Sequence, residues 1–533
     1  MKVIIPMSGM SSRFAAAGYD IPKYLIEVDG KKVIEHIVDL YPKDSEFVFI
    51  INEKHEQETD VIQVLQDLVE NSVIVTVPCH KLGPVHSVLK ASKYIDDEEQ
   101  VIVNYCDFSM KWNYDNFKDF VDDTQCDGCV VTYTGFHPHM LGSDNYAFCR
   151  LAEGSTRISE IREKQPFTDN KMSEHASTGT YYFRTGKFVK DYFQKLIDKD
   201  VNINGEYYVS LVHNLLIQDG LYNTIYEIPH MLQWGTPLDL DMYRQWSNYY
   251  RDAIKEQFKP NINNCVKVVP MAGKGSRFFK EGFTIPKPFL IVNDDFMVQK
   301  AVDCLPNTSK TIFGCQKYHK DYVDFDNVVW FDEVLPGQAC STEQLLSEID
   351  NESFIVTACD NGVLYNSNKF INLVNDKSND IIVWSYRNNY TAHHNPEMYS
   401  WLDVDANQNI QQVFVKEFPF NSKPINEYAI VGTMFFRNKD VYNESLYRMY
   451  ELDEVDSQIR TNGEFYIDNL LNVALDLGYK IKNFEVDHYI CWGTPNDLQT
   501  YRYWQKFFNS VDWHPYDYEK DHFTNPILGS ETY

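Results

Sequence analysis

Val268-Val269-Pro270-Met271-Ala272-Gly273-Lys274-Gly275-Ser276-Arg277-Phe278, running on to Ile285-Pro286-Lys287-Pro288-Phe289-Leu290, decides the fold of this chain. It reads as a buried strand, a glycine loop, a lone arginine and a lysine fixed between prolines. The pattern occurs once before, at Ile4-Ile5-Pro6-Met7-Ser8-Gly9-Met10-Ser11-Ser12-Arg13-Phe14, continuing to Ile21-Pro22-Lys23-Tyr24-Leu25. Arg13 and Arg277 lie 277 − 13 = 264 positions apart, and Lys23 and Lys287 lie 287 − 23 = 264 apart. Equal offsets across two separate chemical anchors mean a duplicated domain.

Later landmarks keep their order while the spacing slips. Asp107 and Asp360 differ by 253, as do Gly179 and Gly432; Lys164 and Lys416 differ by 252; Glu206 and Glu464, and Gly235 and Gly493, differ by 258. Two copies follow, 1–255 and 264–510, joined near the polar, proline-bearing Phe258-Lys259-Pro260-Asn261. A C-terminal tail, 511–533, contains His514-Pro515-Tyr516 and Asn525-Pro526 and is expected to pack along the body. In copy one, β-branched runs (Val3–Ile5, Phe47–Ile51, Val73–Val77, Val101–Tyr105) alternate with helical patterns near Val33–Leu40, Val61–Val69 and Val85–Tyr94. Alternation of that kind predicts an α/β fold with right-handed crossovers. The runs Gly128–Thr134, Ala147–Leu151 and Gly179–Phe183 are richer in strand pattern, so the sheet should be mixed though mainly parallel.

Composition narrows the function. At 533 residues the chain exceeds one ordinary core, and 44% hydrophobic residues mark it as globular. A net charge of −28 excludes a general nucleic-acid or anionic-membrane binder, since no electrostatic term favours polyphosphate, but a single nucleotide needs only a few local cations. The eleven cysteines form no CxxC pair, and Cys106 and Cys359 read as small buried thiols beside an acid. The chain opens directly into a strand with no apolar leader or span, so a cytoplasmic protein is expected. Self-association into a homo-oligomer stays open.

The glycine loop suits a phosphate: successive backbone amides surround a concavity, Gly9, Gly273 and Gly275 allow close approach, and Arg13 or Arg277 adds a bidentate cation. Alone, such a loop is equally a tight turn. It is neither a dinucleotide fingerprint, because Phe278 stands where the third glycine belongs, nor a Walker loop. Prolines on either side hold Lys287 at low entropic cost. The runs ending in Cys106-Asp107 and Cys359-Asp360 place a carboxylate at the C-terminal edge of a parallel strand, where open α/β sheets bind ligands and where one carboxylate plus phosphate oxygens can hold Mg²⁺. The plainer reading is an aspartate capping the next loop. Gly-Thr-Pro-x-Asp at 235–239 and 493–497 reads as a helix start, with Thr at the N-cap and Pro at the first position. His393-His394 reads as a polar loop.

Gly-x-Gly-Ser-Arg-Phe followed by Pro-Lys-Pro resembles the signature of the nucleotidyltransferases that activate sugar phosphates, the sugar-nucleotide pyrophosphorylases. The resemblance spans both copies nearly end to end. It implies two tandem Rossmann-like, GT-A-like nucleotidyltransferase domains. It also implies transfer of a nucleoside monophosphate from a nucleoside triphosphate to a phosphorylated acceptor with release of pyrophosphate, as in surface-polysaccharide precursor synthesis. By resemblance, Arg13, Lys23, Arg277 and Lys287 are catalytic, and Asp107 and Asp360 bind Mg²⁺. Gly9, Ser11, Gly83, Gly273, Gly275 and Gly337 would line the nucleotide, and Glu163, Lys164, Gly179, Lys416 and Gly432 the acceptor.

The chain departs from the family where a second metal-binding aspartate is expected: Gln233 and Cys491 stand there, and Glu206 and Glu464 are the nearest substitutes. The copies also diverge. The base loop Pro336-Gly337-Gln338-Ala339-Cys340-Ser341 is closer to the family than Leu82-Gly83-Pro84-Val85-His86-Ser87, and Ser11 replaces Gly275. Val415 stands where Glu163 aligns, so the acceptors should differ. Two alternatives remain: one copy is a non-catalytic nucleotide or sugar sensor, or an acceptor is a non-sugar phosphate such as a phosphorylated amino alcohol. A sugar-transferring enzyme would want an Asp-x-Asp motif that neither copy has.

Overall fold

The computed structural model describes residues 1–350, 352–393, 395–455 and 459–521. It contains two compact units, Met1–Arg244 and Gln245–Tyr533.

The first unit is built on nine strands: β1 (Lys2–Pro6), β2 (Glu46–Asn52), β3 (Val73–Val77), β4 (Val101–Asn104), β5 (Gly128–Tyr133), β6 (Ala147–Leu151), β7 (Ile158–Glu163), β8 (His175–Phe183) and β9 (Asn223–Glu227). β1 pairs in parallel with β2 and β4, and β2 with β3. β8 runs antiparallel beside β4 and β5, and β9 closes the edge parallel to β5. The β6–β7 hairpin hangs from β8. Val3, Ile4 and Ile5 are completely buried because β1 is covered on both faces, as parallel strands with crossover helices must be.

The second unit repeats this order with β10 (Cys265–Pro270), β11 (Lys310–Gln316), β12 (Val328–Phe331), β13 (Ser353–Thr357), β14 (Ile381–Tyr386), β15 (Trp401–Val404), β16 (Ile410–Phe414), β17 (Tyr428–Phe436) and β18 (Ile481–Glu485). β10 lies parallel to β11 and β13, β17 antiparallel to β13 and β14, and β18 parallel to β14. The mixed, mainly parallel α/β sheet expected from the sequence is therefore present twice.

The tail to residue 521 packs within the second unit, as expected. His514 Nε2 lies 3.1 Å from the Ser247 carbonyl, and the Tyr516 hydroxyl donates to Asp521 at 2.6 Å. It also forms a short 3-10 turn, Tyr518–Lys520. Asn525-Pro526 and His394 lie outside the described residues.

Candidate active site

At the C-terminal end of β1 the chain turns through Gly9 and Ser11 into a five-residue helix, Ser12–Ala16. β10 does the same through Gly273 and Gly275 into Ser276–Lys280. A side chain added at Gly9 or Gly273 would meet nothing within 4 Å, so the space beside both loops is open. Ser11 (φ 50°) and Gly275 (φ 58°) adopt the same left-handed backbone. The serine offsets that strain in part by accepting a hydrogen bond from the Lys23 amide at 3.1 Å. Arg13 and Arg277 are exposed beside these loops, and their guanidinium groups make no hydrogen bond or ion pair among the described residues. They are cations with capacity to spare.

Lys23 Nζ lies 2.6 Å from Asp107 Oδ2, and Lys287 makes the same ion pair with Asp360. Burial works to lower the pKa of each ammonium, but the adjoining carboxylate outweighs it and holds both lysines above their ordinary value. A two-stranded ribbon sets what faces the aspartate. Phe108–Lys111 pairs with His230–Gln233, and Asn361–Leu364 with His488–Cys491. Each ribbon is continued by a backbone bond, Trp234 N to Asp107 O at 3.0 Å and Trp492 N to Asp360 O at 2.8 Å. The following glycines leave the carboxylates room: a Cβ on Gly235 would lie 2.9 Å from Asp107 Oδ2, and one on Gly493 would lie 3.1 Å from Asp360 Oδ2. Sequence reading noted these glycines as landmarks and missed that purpose.

The helix starts after both ribbons are as expected. Thr494 caps Asp497 N at 3.2 Å with Pro495 in the first turn, and Thr236 accepts from Asp239 N at 3.2 Å. Burial lifts the Asp239 carboxyl to about 6, and the Asp107 charge adds to the rise. In the second unit burial pushes the Cys491 thiol well up, and its sulfur lies 3.4 Å from Asp497 Oδ2. A neutral thiol in that position is a poor ligand for a hard cation. Burial likewise pushes the thiols of Cys106 and Cys359 to about 12, which fits inert packing groups.

Of the residues expected to meet the acceptor, Glu163 ends β7 and Lys164 follows with φ 57°; Lys416 has φ 56° after β16. That left-handed turn follows each hairpin, a feature the sequence alone did not disclose, and Lys416 Nζ donates to the Met398 carbonyl. Lys164 Nζ donates to the Tyr208 hydroxyl at 2.5 Å, and that hydroxyl donates to Glu206. Burial raises the Glu163 carboxyl to about 7, while burial lowers Lys416. Gly179 was expected to let a ring lie close. The rings beside it are the protein's own: a Cβ there would lie 3.1 Å from Tyr105 Cδ2 and 3.2 Å from Phe108 Cε1. At Gly432 the neighbours are only Ala358, at 3.5 Å, and Asn361, at 3.9 Å.

Gly83 and Gly337 have a firm structural requirement. A side chain at Gly83 would come within 2.7 Å of the Tyr207 nitrogen, and one at Gly337 within 2.4 Å of the Phe465 carbonyl. The loops are tied there: Tyr207 N to Leu82 O at 2.9 Å with Val85 N to Tyr207 O at 3.2 Å, and Phe465 N to Pro336 O at 2.8 Å with Ala339 N to Phe465 O at 3.0 Å.

Every first-copy position singled out from the sequence lines one cleft of about 520 Å³: Gly9, Ser11, Arg13, Lys23, Gly83, Asp107, Glu163, Lys164 and Gly179. A cleft of about 700 Å³ in the second unit, around Lys369, Arg387, Lys482 and His488, holds none of the singled-out residues. Two of its polar groups are already engaged, Arg387 with Glu485 and His488 Nε2 with Asp252 Oδ2 at 2.8 Å. Among the described residues no group of three or more His, Cys, Asp or Glu could hold a metal by itself, and no helix is long and apolar enough to cross a membrane.

Residues 3–166 match the MobA-like NTP transferase domain family. Bifunctional protein GlmU of Fervidobacterium nodosum is 24% identical over 212 residues, 39% of this chain and 42% of that protein. GlmU of Clostridioides difficile is 23% identical over 223 residues, 41% and 45% of the two chains. The chain thus spans less than half the length of these relatives. Among solved structures, the nucleoside-diphosphate-sugar pyrophosphorylase of Vibrio cholerae RC9 is 25% identical, covering 44% of this chain and 97% of that one, with a TM-score of 0.38. The inositol-1-phosphate CTP transferase of T. maritima is 18% identical over 45% of this chain and 90% of its own, with a TM-score of 0.35. Residues 3–166 thus carry a MobA-like NTP transferase domain, and GlmU proteins, themselves matched over less than half their length, are among the relatives of this chain.

Proposed function

We propose that each copy transfers a nucleoside monophosphate from a nucleoside triphosphate to a phosphorylated acceptor, a sugar phosphate in the leading case, and releases pyrophosphate. One observation carries this reading: a lysine–aspartate pair beside an open glycine loop and an unpaired arginine, built twice on the same sheet edge. An acceptor phosphate oxygen bonds to the α-phosphorus as the bond to the bridging oxygen of pyrophosphate breaks. The two cations neutralise charge that spreads over the phosphoryl oxygens, so positioning and electrostatics supply the rate and no covalent nucleophile is needed. Arg13 and Arg277 grip the triphosphate, Lys23 and Lys287 meet the reacting phosphates, and Lys164 and Lys416 hold the acceptor phosphate. Tandem copies with different acceptor sides suit consecutive or parallel steps in making glycoconjugate precursors.

The carboxylates fit Mg²⁺ of the kind that takes one protein oxygen and completes its shell with phosphate and water. Asp107 would hold it in the first unit, with the Gln233 amide beside it, and Asp360 in the second. When bound, the ion would withdraw charge from the phosphates. Eleven unpaired cysteines support a reducing, cytoplasmic setting. The test is pyrophosphate release from the five common nucleoside triphosphates against a panel of sugar 1-phosphates and phosphorylated amino alcohols, with Mg²⁺ and with excess chelator. Release that needs both the acceptor and the cation is expected. No release with any pair, or full turnover in chelator, overturns the corresponding part.

A further inference from the structure

The two copies keep one acceptor-side lysine each, but the acid beside it has moved. In the first unit Glu163 stands opposite Ala147 across the β6–β7 hairpin. In the second, Trp401 stands opposite Phe414, which places Ser400 and Val415 at the equivalent step. The helix under each hairpin keeps its register. Asn214, on Val209–Gln218, bonds both the amide and the carbonyl of Ile161 at 2.9 and 2.8 Å, and Asn472, on Ile467–Asp476, bonds those of Val413 at the same distances. With the asparagines 472 − 214 = 258 apart, Ser210 corresponds to Asp468, also 468 − 210 = 258 apart.

Three equivalent positions have therefore exchanged roles: Ala147, Glu163 and Ser210 in one unit, Ser400, Val415 and Asp468 in the other. Each set contains one acid and one serine. The contact is the same in both, Ser210 Oγ to Glu163 Oε2 at 2.6 Å and Ser400 Oγ to Asp468 Oδ2 at 2.6 Å. In each case the second carboxylate oxygen has no hydrogen bond among the described residues. A partly buried carboxylate is costly to keep, and an amide or hydroxyl would serve the serine as well, so a purely packing role does not call for the acid to reappear across the cleft. Asp468 also faces the same lysine: its charge acts on Lys416, as do Arg277 and Asp360.

We propose that Asp468 reads the acceptor of the second copy, in the place Glu163 has in the first, through a hydroxyl or ammonium that reaches its free oxygen. The inference rests on the transferase reading above. Because the acid approaches from the helix instead of the hairpin, the two acceptors carry that donor group at different positions relative to their phosphates. The smaller Ala358 and Asn361 beneath Gly432 leave the second acceptor more room than Tyr105 and Phe108 leave the first.

The experiment uses the full chain with Lys23→Ala and Asp107→Ala, so that only the second copy turns over. Pyrophosphate release is followed with glucose 1-phosphate, glucosamine 1-phosphate and phosphoethanolamine as probes, which separate a hydroxyl from an ammonium donor. Asp468→Asn should raise the acceptor KM about 10- to 100-fold, the range for a lost charge-assisted hydrogen bond, while the nucleotide KM and the melting temperature stay near the parent's. Val415→Glu with Asp468→Ser should shift acceptor preference towards that of the first copy. If Asp468→Asn does not fold, Asp468→Ser installs the group the first unit tolerates and gives the same reading. An unchanged acceptor KM overturns the role of Asp468 and leaves the transferase reading standing; a parent silent with every acceptor fails that reading and takes Asp468 with it.

Discussion

Under Gly179 the first unit presents two aromatic rings, and under Gly432 the second presents a methyl group and an amide. The residues responsible follow one another in sequence, Tyr105-Cys106-Asp107-Phe108 against Ala358-Cys359-Asp360-Asn361. The aspartate is untouched while both its flanks change. The same contrast runs through the cleft: the lysine–aspartate pair and the glycine loop are repeated, whereas the acceptor acid has moved and the base loop has changed composition. Under the proposed function, duplication has kept the groups assigned to phosphate and freed those assigned to what the phosphate is attached to.

The hardest blow to this comparison is to remove the repeated part. Lys23→Ala with Asp107→Ala should abolish one activity and Lys287→Ala with Asp360→Ala the other, each by on the order of 10³-fold or more, because an ammonium and a carboxylate at the reacting phosphates are lost together. Separate assays on each double variant check this; a variant that keeps every activity makes its copy a structural or regulatory relic. Next in size is Gly337→Ala. A Cβ 2.4 Å from a backbone carbonyl, at φ 123°, cannot be relieved by a side-chain movement and should cost about 2–4 kcal/mol, read as a lowered melting temperature of the second unit. Gly83→Ala should behave alike, which tests whether the two loops are locked for the same reason.

Arg277→Lys sharpens the comparison on the nucleotide side. An ammonium cannot bridge two phosphate oxygens as a guanidinium does, so nucleotide affinity with the first copy disabled should fall by about 1–2 kcal/mol. Smallest per pH unit is a difference in pH response. Burial raises Glu163 from 4.5 to about 7, helped by Glu206 and opposed by Ser210 and Lys164. Between those values the native state holds a proton that the unfolded chain has released. Its contribution to stability is therefore full below the unfolded value and is lost as pH rises through 7. Glu163→Gln should remove about 2–3 kcal/mol of stability loss between pH 5 and 8, measured by denaturation against the parent. An identical slope in the two proteins would show that Glu163 is charged throughout.

The sequence made the repeated chemistry legible because strand composition and motif offsets are local properties. Val73–Val77 and Ala147–Leu151 were readable to the residue, and Lys23 with Asp107, though 84 positions apart, could be paired because Lys287 and Asp360 repeat them. What escaped was whatever depends on two distant segments meeting. The acid at 468 could not be matched to that at 163 without knowing that a helix and a hairpin share one cleft. The left-handed turns at Lys164 and Lys416 carry no glycine to announce them. Gly83 and Gly337 were expected beside a nucleotide, and the sequence did not show that each also clears its own chain at Tyr207 or Phe465.

The backbone bonds that fasten Leu82 and Val85 to Tyr207 have a consequence for how such a protein can change. Tyr207 lies three residues before Ser210, and Phe465 three before Asp468, so under the proposed function the loop assigned to the nucleobase and the residues assigned to the acceptor are two ends of one stapled piece. A substitution that widens one end is transmitted along a few peptide units to the other. Exchanging a nucleotide preference without disturbing the acceptor would therefore be difficult by single steps in one copy. A second copy removes that constraint, because it can drift at both ends at once while the first remains in service.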